Sequence, residues 1–227
     1  MRAFWRTAWL IVRKDLTIEL RSREILAMTT FFAVACILMF AVAFVKDGRA
    51  LLDAAAGILW IAVFFAGTLA LGRTFERERH GDTVRALLLA PAPRPAIYVG
   101  KLLGMLVLLG VTELLVVPLI ALLFQAPLFD HLLLLVALLT TGTIGFCAVG
   151  TLFAAMLVRT RGRDVWLPIL LYPITIPVII AGVRGTVALI EPEADLVMAR
   201  FWILVLFFFD VVFVTLSLWT FEPLMTD

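Results

Sequence analysis

Two acidic residues, Glu113 and Asp210, stand near the middle of long apolar runs, and a third, Asp53, stands near the end of another. If such a run crosses a bilayer, an Asp at its centre costs about 2.5–3.5 kcal/mol on insertion scales. The carboxyl group therefore has to be protonated, or to face protein or a water-filled cavity. Two interpretations stay open for Glu113 and Asp210. Each either lines a transport route or proton relay, or is a neutral acid that hydrogen-bonds a neighbouring helix.

The histidine and glycine patterns exclude several kinds of catalytic site. His80 and His131 both lie outside the long apolar runs, which excludes a bis-histidine haem held within the membrane by this chain alone. His131 is a candidate outer-face haem ligand, although a solvated histidine is the more ordinary interpretation. The Gly100–Lys101 pair lacks the upstream glycines of a phosphate-binding loop. We expect no enzyme activity, no metal site and no ATP hydrolysis by this chain.

The elements that carry these residues follow from the composition. Of 227 residues, 63% are apolar and 16% are charged, whereas soluble domains have about 45–50% and about 25%. A spanning helix needs about 20 mostly apolar residues. The sequence therefore predicts an all-α integral membrane protein, with residues 25–227 forming one six-span domain. The predicted spans are residues 25–45, 51–72, 102–124, 132–158, 165–183 and 201–221.

The basic residues predict the orientation of the chain. Fifteen of the nineteen Lys and Arg residues fall in residues 1–24, 73–101 and 159–163, which all lie on one face of a six-span chain. The positive-inside rule then places both termini in the cytoplasm. The first long apolar run is too long for the core of a cleavable signal peptide.

Residues 1–24 have the pattern of an amphipathic helix. Apolar residues recur at three- and four-residue steps from Trp5 to Leu20, with most of the arginines beside that stripe. This pattern is typical of a helix that lies in the cytoplasmic membrane interface. A basic flank that only sets the topology is compatible with the same pattern. The residues assigned to this interfacial helix are Trp5, Arg13, Lys14, Asp15, Glu19 and Arg23.

Two of the predicted spans have distinctive internal patterns. Thr143, Cys147, Thr151 and Ala155 form a ladder of small residues in the fourth span, which favours close helix packing. The fifth span contains three prolines, and because each removes a backbone donor we expect that helix to be kinked or broken. Broken helices can mark transport pathways. The candidate pathway residues are Glu113, Asp210, Pro173 and Pro177.

The segment 73–101 joins the second and third predicted spans. It begins with alternating charges and continues through Gly81 to a leucine-rich turn and a group of prolines. A short amphipathic helix with both charge signs suits docking in a groove of a soluble partner, whereas a lipid-bound connector would be mainly basic. The residues assigned to this contact are Phe75, Glu76, Arg77, Glu78, Gly81, Asp82, Thr83, Leu87, Leu88 and Pro91.

Three stretches, residues 13–24, 76–101 and 161–182, together resemble a known family. The second resembles the coupling segment of six-span permeases of ABC exporters. Among these, the chain is most similar to the haem exporter B subunits of cytochrome c maturation, the CcmB-type permeases. That family usually has Gly-Thr-Leu-Glu where this chain has Gly81, Asp82, Thr83, Val84 and Arg85, which leaves the individual ATPase contacts open.

The resemblance implies a bacterial inner-membrane subunit that binds a separate ABC ATPase dimer. It also implies a haem-handling CcmC-type membrane subunit, a periplasmic CcmE-type haem chaperone, and pairing with a second permease copy or another membrane subunit. ATP would be bound by the partner and haem would be cargo, so this chain alone would bind no cofactor and no nucleic acid. ATP-driven movement of residues 73–90 would shift the interfacial helix and the fifth span together.

The implied reaction is haem export, or release of the haem-loaded chaperone, coupled to ATP hydrolysis. Two alternatives remain. The chain could be half of an exporter for another substrate, such as a drug, a lipid or a polysaccharide. It could also be a mechanical scaffold across which nothing is transported.

Overall fold

A computed structural model describes residues 2–43, 48–80, 94–157, 160 and 162–224. Six of the helices in this part of the chain are long and apolar enough to cross a membrane. The chain is therefore an all-α membrane protein with six candidate spans, as predicted. Its helices are α1 (Arg2–Ser22), α2 (Glu24–Ala43), α3 (Gly48–His80), α4 (Arg94–Phe124), α5 (Leu132–Met156), α6 (Arg163–Ile190) and α7 (Leu196–Leu224).

The second and third spans are longer helices than predicted. The helix α3 continues from the end of its apolar window at Thr74 to His80, and α4 begins at Arg94 rather than at residue 102. At 1.5 Å per residue, the 33 residues of α3 extend about 50 Å, well beyond a hydrocarbon core of about 30 Å. Much of the predicted loop 73–101 is therefore helical.

The residues assigned to ATPase contact divide at this point. Phe75, Glu76, Arg77 and Glu78 lie on the helical extension of α3, which we define as residues 75–80. The other six lie outside the described residues, and they are Gly81, Asp82, Thr83, Leu87, Leu88 and Pro91.

The fifth span was predicted to be kinked or broken; the break is wrong, and the kink stays a prediction. One continuous helix, α6, contains Pro168, Pro173 and Pro177. Proline fixes φ near the helical value, and in membrane helices packing and local adjustment compensate for the missing hydrogen bonds. The helix α6 packs against α3, α5 and α7. It starts after Gly162, whose φ of +75° is in the region that favours glycine.

Small residues pack α5 against its neighbours, as the ladder predicted. Thr143, Cys147, Thr151 and Ala155 are all buried, and α5 contacts α3, α4, α6 and α7. The glycines of α5 also receive large side chains. A Cβ atom added to Gly150 would collide with the Leu71 side chain of α3.

The Trp60 side chain of α3 occupies a slot between α5 and α6. Its indole is fully buried, and Nε1 donates a 2.9 Å hydrogen bond to Thr186 Oγ1. A Cβ atom on Gly142 of α5 would lie 2.6 Å from Trp60 Cζ3, and one on Gly182 of α6 would lie 2.6 Å from Cδ2. The two glycines therefore form the walls that allow the three helices to meet.

Contacts near the ends of three helices define one end of the helix bundle. The Tyr98 hydroxyl of α4 donates to the Ala148 carbonyl of α5 at 3.0 Å, and the Tyr98 ring lies 5.5 Å from the Phe221 ring of α7. The start of α4 and the ends of α5 and α7 therefore lie together. Because α1 also contacts the start of α4, we call this the α1 end of the bundle.

Candidate functional site: the α1–α4 joint and the buried acids

The first helix packs on α4 through a face next to the predicted stripe. Trp5 and Trp9 are 60% and 65% exposed, whereas Ala8 and Ile11 are buried. At Gly100 of α4, an added Cβ atom would lie 2.8 Å from Ile11 Cβ and 2.9 Å from the Ala8 carbonyl oxygen. The helix α1 thus has one face on α4 and an adjacent aromatic face directed outward.

A buried ion pair joins the same two helices. Lys101 Nζ of α4 lies 2.7 Å from Asp15 Oδ2 of α1, and Lys101 is only 3% exposed. Asp15 Oδ1 also lies 3.1 Å from Lys14 Nζ. The sequence analysis placed Lys101 at the end of the segment before the third span, whereas in the structure the residue lies two turns inside α4. A buried charge requires such a partner because an uncompensated one is strongly destabilising.

Glu19 joins the end of α1 to the start of α2. Its Oε1 accepts a 2.8 Å hydrogen bond from the Leu26 amide, one of the first-turn amides that a helix leaves unpaired. Arg23 lies between the two helices with φ of +53°, and its amide donates to the Glu19 carbonyl at 2.6 Å. A side chain of one helix thus caps the next helix across a tight elbow.

These side chains surround a cavity of about 140 Å³ at the α1 end of the bundle. Lys14, Asp15, Glu19 and Lys101 form its charged part, and Met105 is among its apolar lining residues. We call Asp15, Glu19 and Lys101 with this cavity the α1–α4 joint. Opposite charges are matched in the joint, which suits it to hold helices in register rather than to activate a substrate.

The joint includes only some of the residues assigned to the interfacial helix. Lys14, Asp15 and Glu19 lie in it, whereas Trp5, Arg13 and Arg23 are exposed. Lys101 was missed because no local pattern links it to Asp15, 86 residues earlier in the chain. The adjoining Gly100 was the available sign of a close helix approach.

The two mid-membrane acids are buried but lie apart. Glu113 of α4 accepts a hydrogen bond from Thr143 Oγ1 of α5. Asp210 of α7 lies against Gly145 of α5, where an added Cβ atom would be 2.8 Å from its Oδ1. Because Thr143 and Gly145 are two residues apart on one helix, they face nearly opposite directions. The contact of Glu113 is the one expected of an acid bonded to a neighbouring helix.

The candidate pathway residues are not brought together. Pro173 and Pro177 are exposed on α6, while Glu113 and Asp210 are buried against α5. Asp210 Oδ1 has no hydrogen-bond partner among the described residues. Among those same residues, no group of three or more His, Cys, Asp or Glu side chains is placed to hold a metal ion.

The fold defines a multi-pass, all-α membrane protein, and the Asp15–Lys101 ion pair lies at one end of its helices. A family model described as CcmB protein matches residues 6–223. The chain belongs to the CcmB family, which confirms the resemblance found in the sequence.

Curated relatives agree with the family match. The chain is 32% identical over 157 residues to heme exporter protein B of Rhodobacter capsulatus, covering 69% of this chain and 71% of that protein. It is 27% identical over 170 residues to the protein of that name from Haemophilus influenzae, covering 75% and 76%. The corresponding match to the Pseudomonas aeruginosa protein is 28% over 173 residues, covering 76% and 77%.

Proposed function

We propose that this chain is the membrane-spanning permease subunit of a haem exporter in cytochrome c maturation. The observation that carries the proposal is the CcmB match over residues 6–223. The names of the curated relatives supply the cargo, since each is called heme exporter protein B. The bacterial inner membrane is the proposed location, and the distribution of Lys and Arg favours cytoplasmic termini.

A separate ABC ATPase dimer drives the permease by binding the extension of α3 and the segment that follows it. The extension projects past the apolar window that ends at Thr74. The α1–α4 joint lies at the same end of the bundle as this part of α3, since Thr74 Oγ1 donates to Met105 Sδ at 3.5 Å and Thr74 lines the same cavity. A movement imposed there acts directly on the ends of the helices. ATP and the outer-side partner must each favour one of two states for the two events to be coupled.

The remaining partners come with the family. We propose a CcmC-type haem-handling membrane subunit, a CcmE-type chaperone that receives haem on the outer side, and a second membrane subunit beside this chain. ATP hydrolysis then serves haem export or release of the loaded chaperone.

Charge reversal on the α3 extension tests the proposed ATPase contact. The double variant Glu76→Lys/Glu78→Lys should lose co-purification with the ATPase subunit while its membrane insertion stays normal. The matched control is Glu191→Lys/Glu193→Lys, which reverses two exposed acids in the loop between α6 and α7. Normal ATPase recovery with the first variant would contradict the assignment.

Reconstitution distinguishes transport from mechanical release. Proteoliposomes containing the permease, its membrane partner and the ATPase are loaded with haem, and haem transfer to the chaperone is followed with and without ATP. We expect ATP to increase haem delivery across the bilayer. If ATP released the chaperone without haem flux, the transport function would be wrong and the scaffold would replace it.

A further inference from the structure

The Asp15–Lys101 pair stands where a movement of the proposed ATPase contact would enter the membrane helices. Lys101 lies seven residues from the start of α4, about 10 Å along the helix axis. The start of α4 continues directly from the segment that joins it to α3. A displacement of that segment therefore reaches Lys101 before it reaches the middle of the membrane.

The pair makes separation of α1 from α4 unfavourable. Lys101 is almost completely buried and Asp15 is mostly buried, with its side chain 18% exposed. Parting the two helices would break the 2.7 Å contact between opposite charges in a poorly solvated site, which is unfavourable. One turn before Asp15 on α1, Ile11 packs closely against Gly100 of α4, and this close packing also holds the two helices together.

The other end of the joint connects α1 to α2. Glu19 is one turn after Asp15 on α1, and its carboxylate holds the Leu26 amide in the first turn of α2. The elbow at Arg23 restricts movement of α1 relative to α2, because the Arg23 amide donates a hydrogen bond to the Glu19 carbonyl. A movement of α1 is therefore passed to the start of the first candidate span.

We propose that Asp15 and Lys101 form a positioning pair that makes α1 follow α4 and, through Glu19, transmits ATPase-driven movement to α2. This inference rests on the proposed function, and it names the residues that pass the ATPase-driven movement from α4 to α1 and α2. The pair contacts neither cargo nor nucleotide, and it acts through the helices that it joins.

The decisive variant neutralises both partners, Asp15→Asn/Lys101→Met. Replacing both members by uncharged residues of similar volume leaves neither charge uncompensated, whereas removing one member leaves a buried charge. The assembled complex is purified, and its thermal unfolding, ATPase binding, ATP turnover and haem delivered per ATP are measured. We expect assembly and ATP turnover to persist, with haem delivered per ATP falling about tenfold, within the range of ordinary coupling between sites.

A charge-swapped variant and remote controls sharpen the test. Asp15→Lys/Lys101→Asp restores opposite charges, and it should recover most of the lost haem delivery per ATP. Arg184→Met and Asp130→Asn remove exposed charges elsewhere on the protein and should leave the ratio unchanged.

The possible results distinguish a failure of the positioning role from a failure of the proposed function. A folded neutral variant that delivers haem per ATP as the unmodified complex does would overturn the positioning role. If the neutral variant failed to assemble, a purely structural role would replace the proposal. If the unmodified complex bound no ATPase or showed no ATP-dependent delivery, the proposed function itself would be wrong.

Discussion

Adding a single methyl group at Gly182 tests whether Trp60 is locked between three helices. The Cβ atom of an alanine at position 182 would overlap the Trp60 indole, at 2.6 Å from Cδ2 and 2.7 Å from Cζ2. The ring cannot retreat easily, since Gly142 of α5 closes the opposite side and Nε1 is hydrogen-bonded to Thr186. We therefore expect Gly182→Ala to destabilise the fold.

The magnitude comes from two opposing effects. Overpacking a well-packed core typically costs about 1–3 kcal/mol. Replacing a helical glycine by alanine otherwise gains roughly 0.5–1 kcal/mol. The net destabilisation of Gly182→Ala should be about 1–2 kcal/mol, because the collision involves a fully buried ring. Reversible unfolding by SDS in mixed micelles would measure it.

Gly110 of α4 provides the matched control. An added Cβ atom there meets nothing within 4 Å, so Gly110→Ala should be neutral or stabilising. Adding Trp60→Leu to Gly182→Ala should relieve the collision and give a favourable coupling energy in a double-mutant cycle. The proposed slot would be refuted if Gly182→Ala were as stable as Gly110→Ala.

Three further changes test individual contacts. Glu113→Gln should keep the rate of haem delivery within twofold of that of the unmodified complex and leave its thermal stability unchanged, because the new amide oxygen still accepts from Thr143. A large loss of haem delivery at unchanged stability would support a proton relay. Asp195→Ala should cost about 1 kcal/mol in the same unfolding assay, because Asp195 caps α7, while Glu193→Ala stays neutral. Arg23→Gly should preserve or raise thermal stability because glycine favours the observed φ of +53°, whereas Arg23→Val should lower it.

The number of candidate spans could be predicted because each is a long apolar run, but the end of the second helix and the start of the third could not. Arg73 and Lys101 end the hydropathy signal, yet the helices α3 and α4 continue through both positions. Hydropathy reports the preference of a side chain for lipid, whereas a helix continues wherever its backbone hydrogen bonds remain favourable. Lys101 could remain inside a helix because Asp15 compensates its charge.

The site was predicted less completely than the fold because its contacts are long-range. The amphipathic pattern of residues 1–24 correctly indicated a helix, and it placed Asp15 and Glu19 on that helix. The partner of Asp15 lies 86 residues away, and the function of Glu19 depends on the elbow at Arg23. Periodicity within one segment carries no information about either contact.

The packing of α1 also changes which helices we expect to move together. The sequence resemblance implied that the interfacial helix and the fifth span, which is α6, shift together. In the structure α1 lies against α4 through Gly100 and the Asp15–Lys101 pair, and Glu19 links it to α2. Parting α1 from α4 would separate the Asp15 and Lys101 charges in a poorly solvated site, which is unfavourable, so the mobile unit favoured by these contacts is α1 with α4 and the start of α2.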